Sequence, residues 1–357
     1  GRSDLRATSE ANEQVKTKRR LQMSHRHFMF LCALTISAVL LVSIGAAAQT
    51  KSYVPPKTPD GQPDLQGIWS TLTSVPLERP ANLGAKEFYT PEDLAAQARR
   101  AAGGGGRGGG RGAAPEAGDL AVHYDTSQFG LDRSHATVAT SNRTSLIVGP
   151  EGRVPALLPE AQKRQAERAA YQREHQWDGP ESRPLAERCI TWPSEGPPML
   201  APGYNSNLQI VQGKGYVAIM QEMIHDVRVI PTDNSAHLPS NIHLYFGDSR
   251  GHWEGNTLVV DTTNFTDKTA FRGSGEKLHV VEKFTRTADD AIKYEFTVDD
   301  PTAWAKPWSA EVSWAKEAGP IFEYACQEGN YGMKNNLSGA RATEKKAAEG
   351  AAAKKAQ

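Results

Sequence analysis

Hydrophobic and polar residues alternate with a period of two through most of the stretch from residue 207 to residue 326. The alternation is most regular over residues 292–298, with Ile, Tyr, Phe and Val at even positions and Lys, Glu and Thr between them. Neighbouring side chains on a strand point to opposite faces, so this pattern indicates strands with one buried face. Further strands are predicted near residues 67–69, 143–148, 208–212, 216–220, 226–230, 257–261, 278–285, 312–314 and 321–326.

These short segments are joined by turns and are not interrupted by helices, which favours a mainly β protein. We predict an antiparallel barrel or sandwich of about nine or ten strands with a few short peripheral helices. One helix begins at Thr90-Pro91, where Thr can cap and Pro suits the first turn. A surface helix is predicted at residues 159–176. The tail, residues 342–357, is rich in Ala and Lys and is predicted to be a frayed helix or disordered.

The N-terminal part has the composition of an export signal. Residues 23–48 combine a short basic start, an apolar run and the small residues Ala46-Ala47-Ala48, which predicts a cleaved signal peptide, with an uncleaved N-terminal anchor as the alternative. Residues 1–22 are interpreted as upstream sequence or an extended basic region. We therefore expect a periplasmic or secreted protein with no membrane span after cleavage.

The exported part is predicted to form one domain with an insertion. Residues 49–98 would supply an N-terminal arm, the first strand and the short helix, and residues 119–341 the rest of the β domain. Residues 99–118 hold the run G-G-G-G-R-G-G-G-R-G, which offers nothing to bury and predicts a flexible surface segment.

The net charge bears on nucleic-acid binding, and the cysteine content bears on disulfide formation. The chain has 41 basic and 41 acidic residues, so no net charge attracts it to nucleic acid. Removing the signal leaves Cys189 and Cys326, and two cysteines in an exported chain predict a disulfide, with two buried thiols as the alternative. The oligomeric state is not predicted.

Ionisable residues are concentrated in E-M-I-H-D-V-R and in G-D-S-R-G-H-W-E-G, at the ends of predicted strands. Barrels commonly carry their sites at strand ends. The candidate catalytic residues are His225, Asp226, Arg228, Glu254 and Glu282. The candidate substrate-binding residues are Glu222, His243, Asp248, Arg250, Trp253 and His279.

Each candidate catalytic residue is assigned a role. His225 would be the general acid or base, Asp226 its orienting partner and Arg228 the stabiliser of a developing anion, with Glu282 or Glu254 as the second acid/base group. Glu282 falls on the more apolar face of its strand, where it would either pair with a cation such as Arg228 or have a raised pKa. The competing interpretation is a set of structural ion pairs.

No cofactor is expected. The His and Asp residues include metal-ligand types, but their spacing matches no zinc signature, so a divalent ion remains only an alternative. The glycine run lacks the Lys and Ser/Thr of a phosphate-binding loop, and no G-x-S-x-G is present. The leading hypothesis is an enzyme, a hydrolase or lyase, acting on a small carbohydrate-like or polycyclic substrate. The alternatives are a non-catalytic binding protein for an apolar or sugar ligand and a structural module of the cell envelope.

Several long motifs resemble a family of exported proteins of soil bacteria whose function is uncharacterised. They are R-C-x-x-W-P, E-M-I-H-D-V-R-V-I-P, G-D-S-R-G-H-W-E-G-N-T-L-V-V-D-T-T-N-F and E-Y-A-C-Q-E-G-N-Y. The resemblance covers residues 63–341 and implies no activity. Separately, Gly67-Ile68-Trp69 resembles the G-x-W with which lipocalin-like barrels begin, which would make the predicted barrel lipocalin-like.

Overall fold

The computed structural model describes residues 53–103, 139, 141–269 and 271–355. The predicted signal peptide and most of the predicted Gly/Arg insertion lie outside these residues. Within them, nine strands form one antiparallel sheet, which confirms the mainly β prediction. The strands are β1 Gly67–Ser70, β2 Asn207–Gly213, β3 Tyr216–Gln221, β4 Val227–Pro231, β5 Asp248–Glu254, β6 Thr257–Thr263, β7 His279–Ala288, β8 Ala291–Asp299 and β9 Trp308–Glu317.

The sheet is built from two meanders that share β1. Strands run in the order β4-β3-β2-β1-β9-β8-β7-β6-β5, so β1 pairs with β2 on one side and with β9 on the other. All the other neighbours in the sheet are consecutive in the chain and antiparallel. Short turns therefore suffice for most connections, and the long connection between β1 and β2 carries two of the helices.

Alternation along the strands produces the core. In β8 every second side chain is buried, as the sequence pattern predicts. Trp69 of β1 is fully buried, and its indole N–H donates to the backbone carbonyl of Leu65 at 3.0 Å. Other fully or almost fully buried side chains come from five more strands: Leu208, Ile210, Ile219, Phe284, Tyr294 and Trp314.

The two edge strands, β4 and β5, touch through their side chains. Arg228 of β4 donates to the Ser249 hydroxyl of β5. A methyl group built on Gly251 of β5 would lie 3.0 Å from a methyl carbon of Ile230 of β4. No backbone ladder joins these two strands among the described residues, so the sheet is not closed by hydrogen bonds.

Two predicted strands are wrong, and one strand was not predicted. Residues 143–148 form only isolated bridges, and residues 321–326 form no strand. In the second case Phe322 is exposed and Cys326 is held by a disulfide, so apolar character there does not reflect a sheet face. Strand β5 lacks the apolar signal because two of its inward residues, Ser249 and Gly251, are not hydrophobic.

Three α-helices accompany the sheet: α1 Pro91–Gly103, α2 Pro159–His175 and α3 Tyr331–Lys355. Helix α2 lies in the predicted stretch 159–176 and buries only Ala161. Helix α3 includes residues 342–355 of the predicted frayed or disordered tail and has no buried residue. Of the helices in the described part of the chain, none has the length and apolar content needed to cross a membrane.

A disulfide joins Cys189 to Cys326, which confirms the pairing predicted from the cysteine count. The two cysteines are 137 positions apart in the chain. The bond therefore fastens the connection before β2 to the segment that follows β9.

Candidate functional site

The predicted site residues fall at two opposite ends of the sheet. The register places the start of β4, the start of β5 and the start of β7 at the same end, together with Glu222, His225 and Asp226. Glu254 and Trp253 lie at the other end of β5. Six residues of extended strand span about 20 Å, so these two cannot share a site with His225.

Arg228 and Glu282 form a buried ion pair inside the sheet. The Glu282 side chain is completely buried, and its carboxylate receives two hydrogen bonds from the Arg228 guanidinium. The Tyr294 hydroxyl donates a third at 2.8 Å. Arg228 also donates to the hydroxyls of Ser249 and Thr262. Of the two environments expected for Glu282, pairing with a cation such as Arg228 or a raised pKa, the structure has the ion pair.

The assigned catalytic roles of Arg228 and Glu282 do not fit this geometry. Both Glu282 oxygens accept hydrogen bonds from the protein, and the side chain is completely buried, so a substrate has no access to the carboxylate. Tyr294 is held in the same network, and burial raises its pKa well above the usual range, with the negative charge of Glu282 as the next cause. The hydrogen-bond network of Arg228, Glu282 and Tyr294 is therefore part of the buried interior of the sheet.

His225 and Asp226 do not form the predicted dyad. The exposed His225 ring lies with Nδ1 3.2 Å from the backbone carbonyl oxygen of Tyr324. Asp226 accepts from the neighbouring backbone N–H of Val227 at 2.8 Å. The backbone at His225 has a positive φ of 51°, which belongs to a tight turn between β3 and β4.

Glu222 and His243 hold backbone segments in place. The two Glu222 oxygens accept from the backbone N–H groups of Asn207 and Phe322, each at 3.2 Å, which joins the start of β2 to the segment after β9. The Nδ1 atom of His243 lies 2.9 Å from the carbonyl oxygen of Phe265. Both were predicted to bind substrate; in the structure each is hydrogen-bonded to the backbone of another segment.

A chain of histidines and carboxylates lies on the outer face of β5, β6 and β7. The His237 ring, which the sequence did not single out, lies between Asp248 at 2.9 Å and Asp261 at 3.0 Å. Asp261 also accepts from His279 at 2.6 Å, and Asp248 accepts from Arg250 at 2.6 Å. The hydrogen bond from His279 lowers the pKa of Asp261, and the same bond raises the pKa of His279.

Three predicted substrate-binding residues, Asp248, Arg250 and His279, thus belong to one hydrogen-bonded chain. Arg250 donates to Asp248, and His237 and Asp261 connect Asp248 to His279. Within the described residues, no group of three or more His, Cys, Asp or Glu side chains is arranged to hold a metal ion.

Two cavities open at the end of the sheet that carries Asp226 and Asp248. The first, which we call the seam cavity, lies along the contact between β4 and β5 and has a volume of about 320 Å³. Asp226, Arg228, Asp248 and Ser249 line it, so it contains three of the predicted site residues. Its walls combine these polar groups with apolar side chains such as Ile190 and Leu244, and its cation, Arg228, is already paired with Glu282.

The second, which we call the aromatic cavity, has a volume of about 250 Å³. Segment 184–197 forms one wall with three prolines, and the Lys268 and Thr269 side chains contribute polar groups. Aromatic and aliphatic side chains supply much of the remaining surface: Leu185, Trp192, Tyr245, Phe246, Phe265 and Leu278.

Glu195 is buried beside the aromatic cavity and has an unusual environment. One carboxylate oxygen, Oε2, accepts from the backbone N–H of Trp192 at 2.7 Å and lies 3.4 Å from the Thr191 hydroxyl. The other, Oε1, is buried and has no hydrogen-bond partner among the described residues. The Glu195 side chain does not line the cavity itself, but Thr191, Trp192 and Gly196 do.

Burial raises the pKa of Glu195 to about 7, and the nearby negative charge of Asp226 adds to the rise. Hydrogen bonds from Trp192 and Thr191 act in the opposite direction but are weaker than the cost of burial. Glu195 therefore changes charge near neutral pH, the range in which a carboxyl group can exchange protons during a reaction.

No family model and no curated protein sequence matches this chain. The resemblance to the uncharacterised exported family stays a prediction, and the candidate function depends on geometry alone.

Neither Glu195 nor His237 was predicted from the sequence as a site residue. The motif T-W-P-S-E-G-P-P reads as a turn because of its prolines and glycine, and nothing in it marks the glutamate as buried. His237 lies in a polar connection with no periodic pattern.

Proposed function

We propose that this protein binds a small, flat, largely apolar molecule in the aromatic cavity. The observation that supports this most strongly is the lining itself, with aromatic rings, prolines and aliphatic side chains around a few hydroxyls and one lysine. Ligand sites are typically apolar concavities with a small number of polar groups. A volume of about 250 Å³ is at the small end for such sites, which suits a ligand of one or two fused rings.

The wall formed by segment 184–197 is held rigidly, which favours binding. Prolines fix the backbone φ at several of its positions. The Arg183 guanidinium pairs with Glu187 and packs over the Trp177 ring at 4.1 Å, and Cys189 is tied to Cys326. A site that is ordered before binding loses less entropy when it takes up a ligand.

An acid/base enzyme acting on the same ligand is the second candidate, because Glu195 titrates near neutral pH beside the cavity. In this proposal Glu195 replaces His225, Asp226 and Glu282 as the proton-transferring group. The cavity favours both candidates over a purely structural envelope module, which requires no ligand space.

Export is also proposed, to the periplasm or the medium. The disulfide supports it, because disulfides persist in oxidising compartments. We further propose that the sheet curls into a barrel-like, lipocalin-like form, since the side chains of β4 and β5 meet along the seam. An experimental structure with these strands on separate faces would contradict that shape.

The ligand site can be tested with naphthalene as a fluorescent probe. Saturable one-to-one binding is expected for the wild-type protein. Ala186 lines the cavity, so Ala186→Trp should fill it and weaken binding by at least about tenfold. Ala166→Trp, on the exposed face of α2, is the matched control and should bind like the wild type.

Equal binding by all three proteins would refute the cavity as the site. For the enzyme candidate, a turnover screen with aromatic esters and ethers should give a product that Glu195→Gln no longer forms. Retention of activity in that variant would exclude Glu195 as the acid/base group.

A further inference from the structure

We infer that Glu195, acting through the Thr191 hydroxyl, determines which hydrogen-bonding group a ligand of the aromatic cavity carries. The inference rests on the proposed binding function. It names the ligand class at neutral to alkaline pH as aromatic molecules with a donor, such as a phenolic hydroxyl or an amine. Glu195 is a positioning residue here, since its own side chain does not line the cavity.

Thr191 connects the carboxyl group to the cavity. Thr191 lines the cavity and is only 3% exposed. Its hydroxyl lies 3.4 Å from Oε2 of Glu195 and 3.3 Å from the backbone carbonyl oxygen of Trp192. The other group bonded to Oε2 is the backbone N–H of Trp192. This N–H has a single proton, which it already donates to Glu195, so it has nothing further to donate to a ligand. Changes in the charge of Glu195 therefore reach the cavity by way of one hydroxyl.

A hydroxyl has one proton and two lone pairs, so what it offers to a ligand depends on where its proton is directed. When Glu195 is ionised, the Thr191 proton is attracted to the carboxylate because charge-assisted hydrogen bonds are the stronger ones. The lone pairs then remain for a ligand that donates. When Glu195 is protonated, this attraction weakens, and the hydroxyl can donate either to the Trp192 carbonyl oxygen, 3.3 Å away, or to a ligand carbonyl.

The environment of Glu195 explains why both charge states are accessible. The orphan oxygen Oε1 makes the ionised form costly, while the Trp192 N–H stabilises it. Two other titratable groups face Glu195: Asp226 in the turn before β4, and Tyr324 in the segment after β9. Asp226 disfavours the second negative charge. Burial and a hydrogen bond with Tyr204 raise the pKa of Tyr324 to about 12, so it stays neutral.

A second threonine of the cavity lining, Thr269, offers a matched control. Thr269 also lines the cavity, but its hydroxyl donates to the backbone carbonyl of Thr266 at 3.3 Å and contacts no carboxyl group. Substitution of Thr269 should change the affinity for a ligand without changing how that affinity depends on pH.

The experiment compares a naphthol, which donates, with an acetylnaphthalene, which only accepts, at about pH 5.5 and about pH 8.5. The naphthol stays neutral over this range, as tyrosine does with its pKa near ~10. In the wild type, the preference for the naphthol over the ketone should rise about fivefold between the two pH values, the effect of one neutral hydrogen bond. The midpoint should fall near the pKa of Glu195, about 7.

Glu195→Gln and Thr191→Val should each abolish this pH dependence, and Thr269→Val should keep it. Circular dichroism and thermal unfolding will show whether each variant is folded. Should Glu195→Gln fail to fold, Thr191→Val gives the same answer independently. A ratio that does not change with pH in the wild type, or that still changes in either of the first two variants, would overturn the inference.

Failure of the proposed function would look different. If naphthalene, the naphthol and the ketone all fail to bind at both pH values, the cavity is not a ligand site, and this inference falls with it. If all three bind and the ratio is constant, the cavity binds ligands but Glu195 does not select them.

Discussion

Replacing Glu282 by glutamine tests whether the buried pair with Arg228 is structural. Glutamine has nearly the same shape and can still accept from Tyr294, so the change removes mainly the negative charge. The Arg228 charge would then remain buried without a counter-charge, since the other described partners of its guanidinium are the neutral hydroxyls of Ser249 and Thr262. Loss of one partner from a buried pair costs about 3–5 kcal/mol.

The matched control is an exposed pair on the neighbouring strand. Lys293 and Glu295 lie 3.0 Å apart with each side chain more than a third exposed. Glu295→Gln should therefore change the free energy of unfolding by less than about 1 kcal/mol. The comparison separates the effect of burial from the effect of removing a glutamate charge from the sheet.

A double-mutant cycle uses Arg228→Met, Glu282→Leu and the variant that carries both changes. The double variant removes both charges, and an apolar pair of similar volume should cost less than either of these single changes, by about 2 kcal/mol or more. Urea unfolding followed by tryptophan fluorescence measures the wild type and every variant. If Glu282→Gln lowered the free energy of unfolding by less than about 1 kcal/mol, the buried pair would not have the structural role assigned to it.

Three further predictions concern titration and the disulfide. Because burial raises the pKa of Glu195 from 4.5 to about 7, the folded state binds the carboxyl proton more tightly than the unfolded state does. The free energy of unfolding should therefore fall by up to about 3 kcal/mol as the pH rises from 4.5 through about 7. Urea unfolding measured over this pH range should show the fall in the wild type and not in Glu195→Gln. The raised pKa of His279 means that its pairing with Asp261 stabilises the fold below about pH 6.5, and that this is lost as the pH rises through the raised pKa. NMR titration should show a lower pKa for His279 in Asp261→Asn; an unchanged value would show that the pair does not matter. Reduction of Cys189–Cys326 should destabilise the fold by at most about 5 kcal/mol and lower the melting temperature, and an unchanged melting temperature would contradict a role in fixing the wall of the aromatic cavity.

The parts of the fold that could be predicted are those set by local pattern. Residues 292–298 alternate without exception, and β8 buries every second side chain there. The cysteine count was enough to predict the disulfide. Strand β5 was not predicted because Ser249 and Gly251, which face inward, are not hydrophobic. Gly251 leaves room for β4, and the Ser249 hydroxyl accepts a hydrogen bond from Arg228. Such a pattern makes sense only once the neighbouring strand is known.

The candidate site was harder to predict because it depends on contacts between distant residues. Arg228 is inside the sheet and Val229 is exposed, the reverse of what hydrophobicity alone suggests, because Glu282 supplies a counter-charge 54 positions away. Alternation could show that Asp226 and Arg228 differ in face from Val229, but not which face was inside. Glu195 gained its raised pKa from burial and from Asp226, and neither is visible in the local sequence.

A crystal structure of the protein with a bound naphthol would test the central claim most directly. The account predicts electron density for the ligand in the aromatic cavity, against Trp192 and Phe265, with its hydroxyl within hydrogen-bond distance of Thr191 at alkaline pH. Density in the seam cavity instead, or walls of the aromatic cavity packed against each other with no ligand between them, would contradict it.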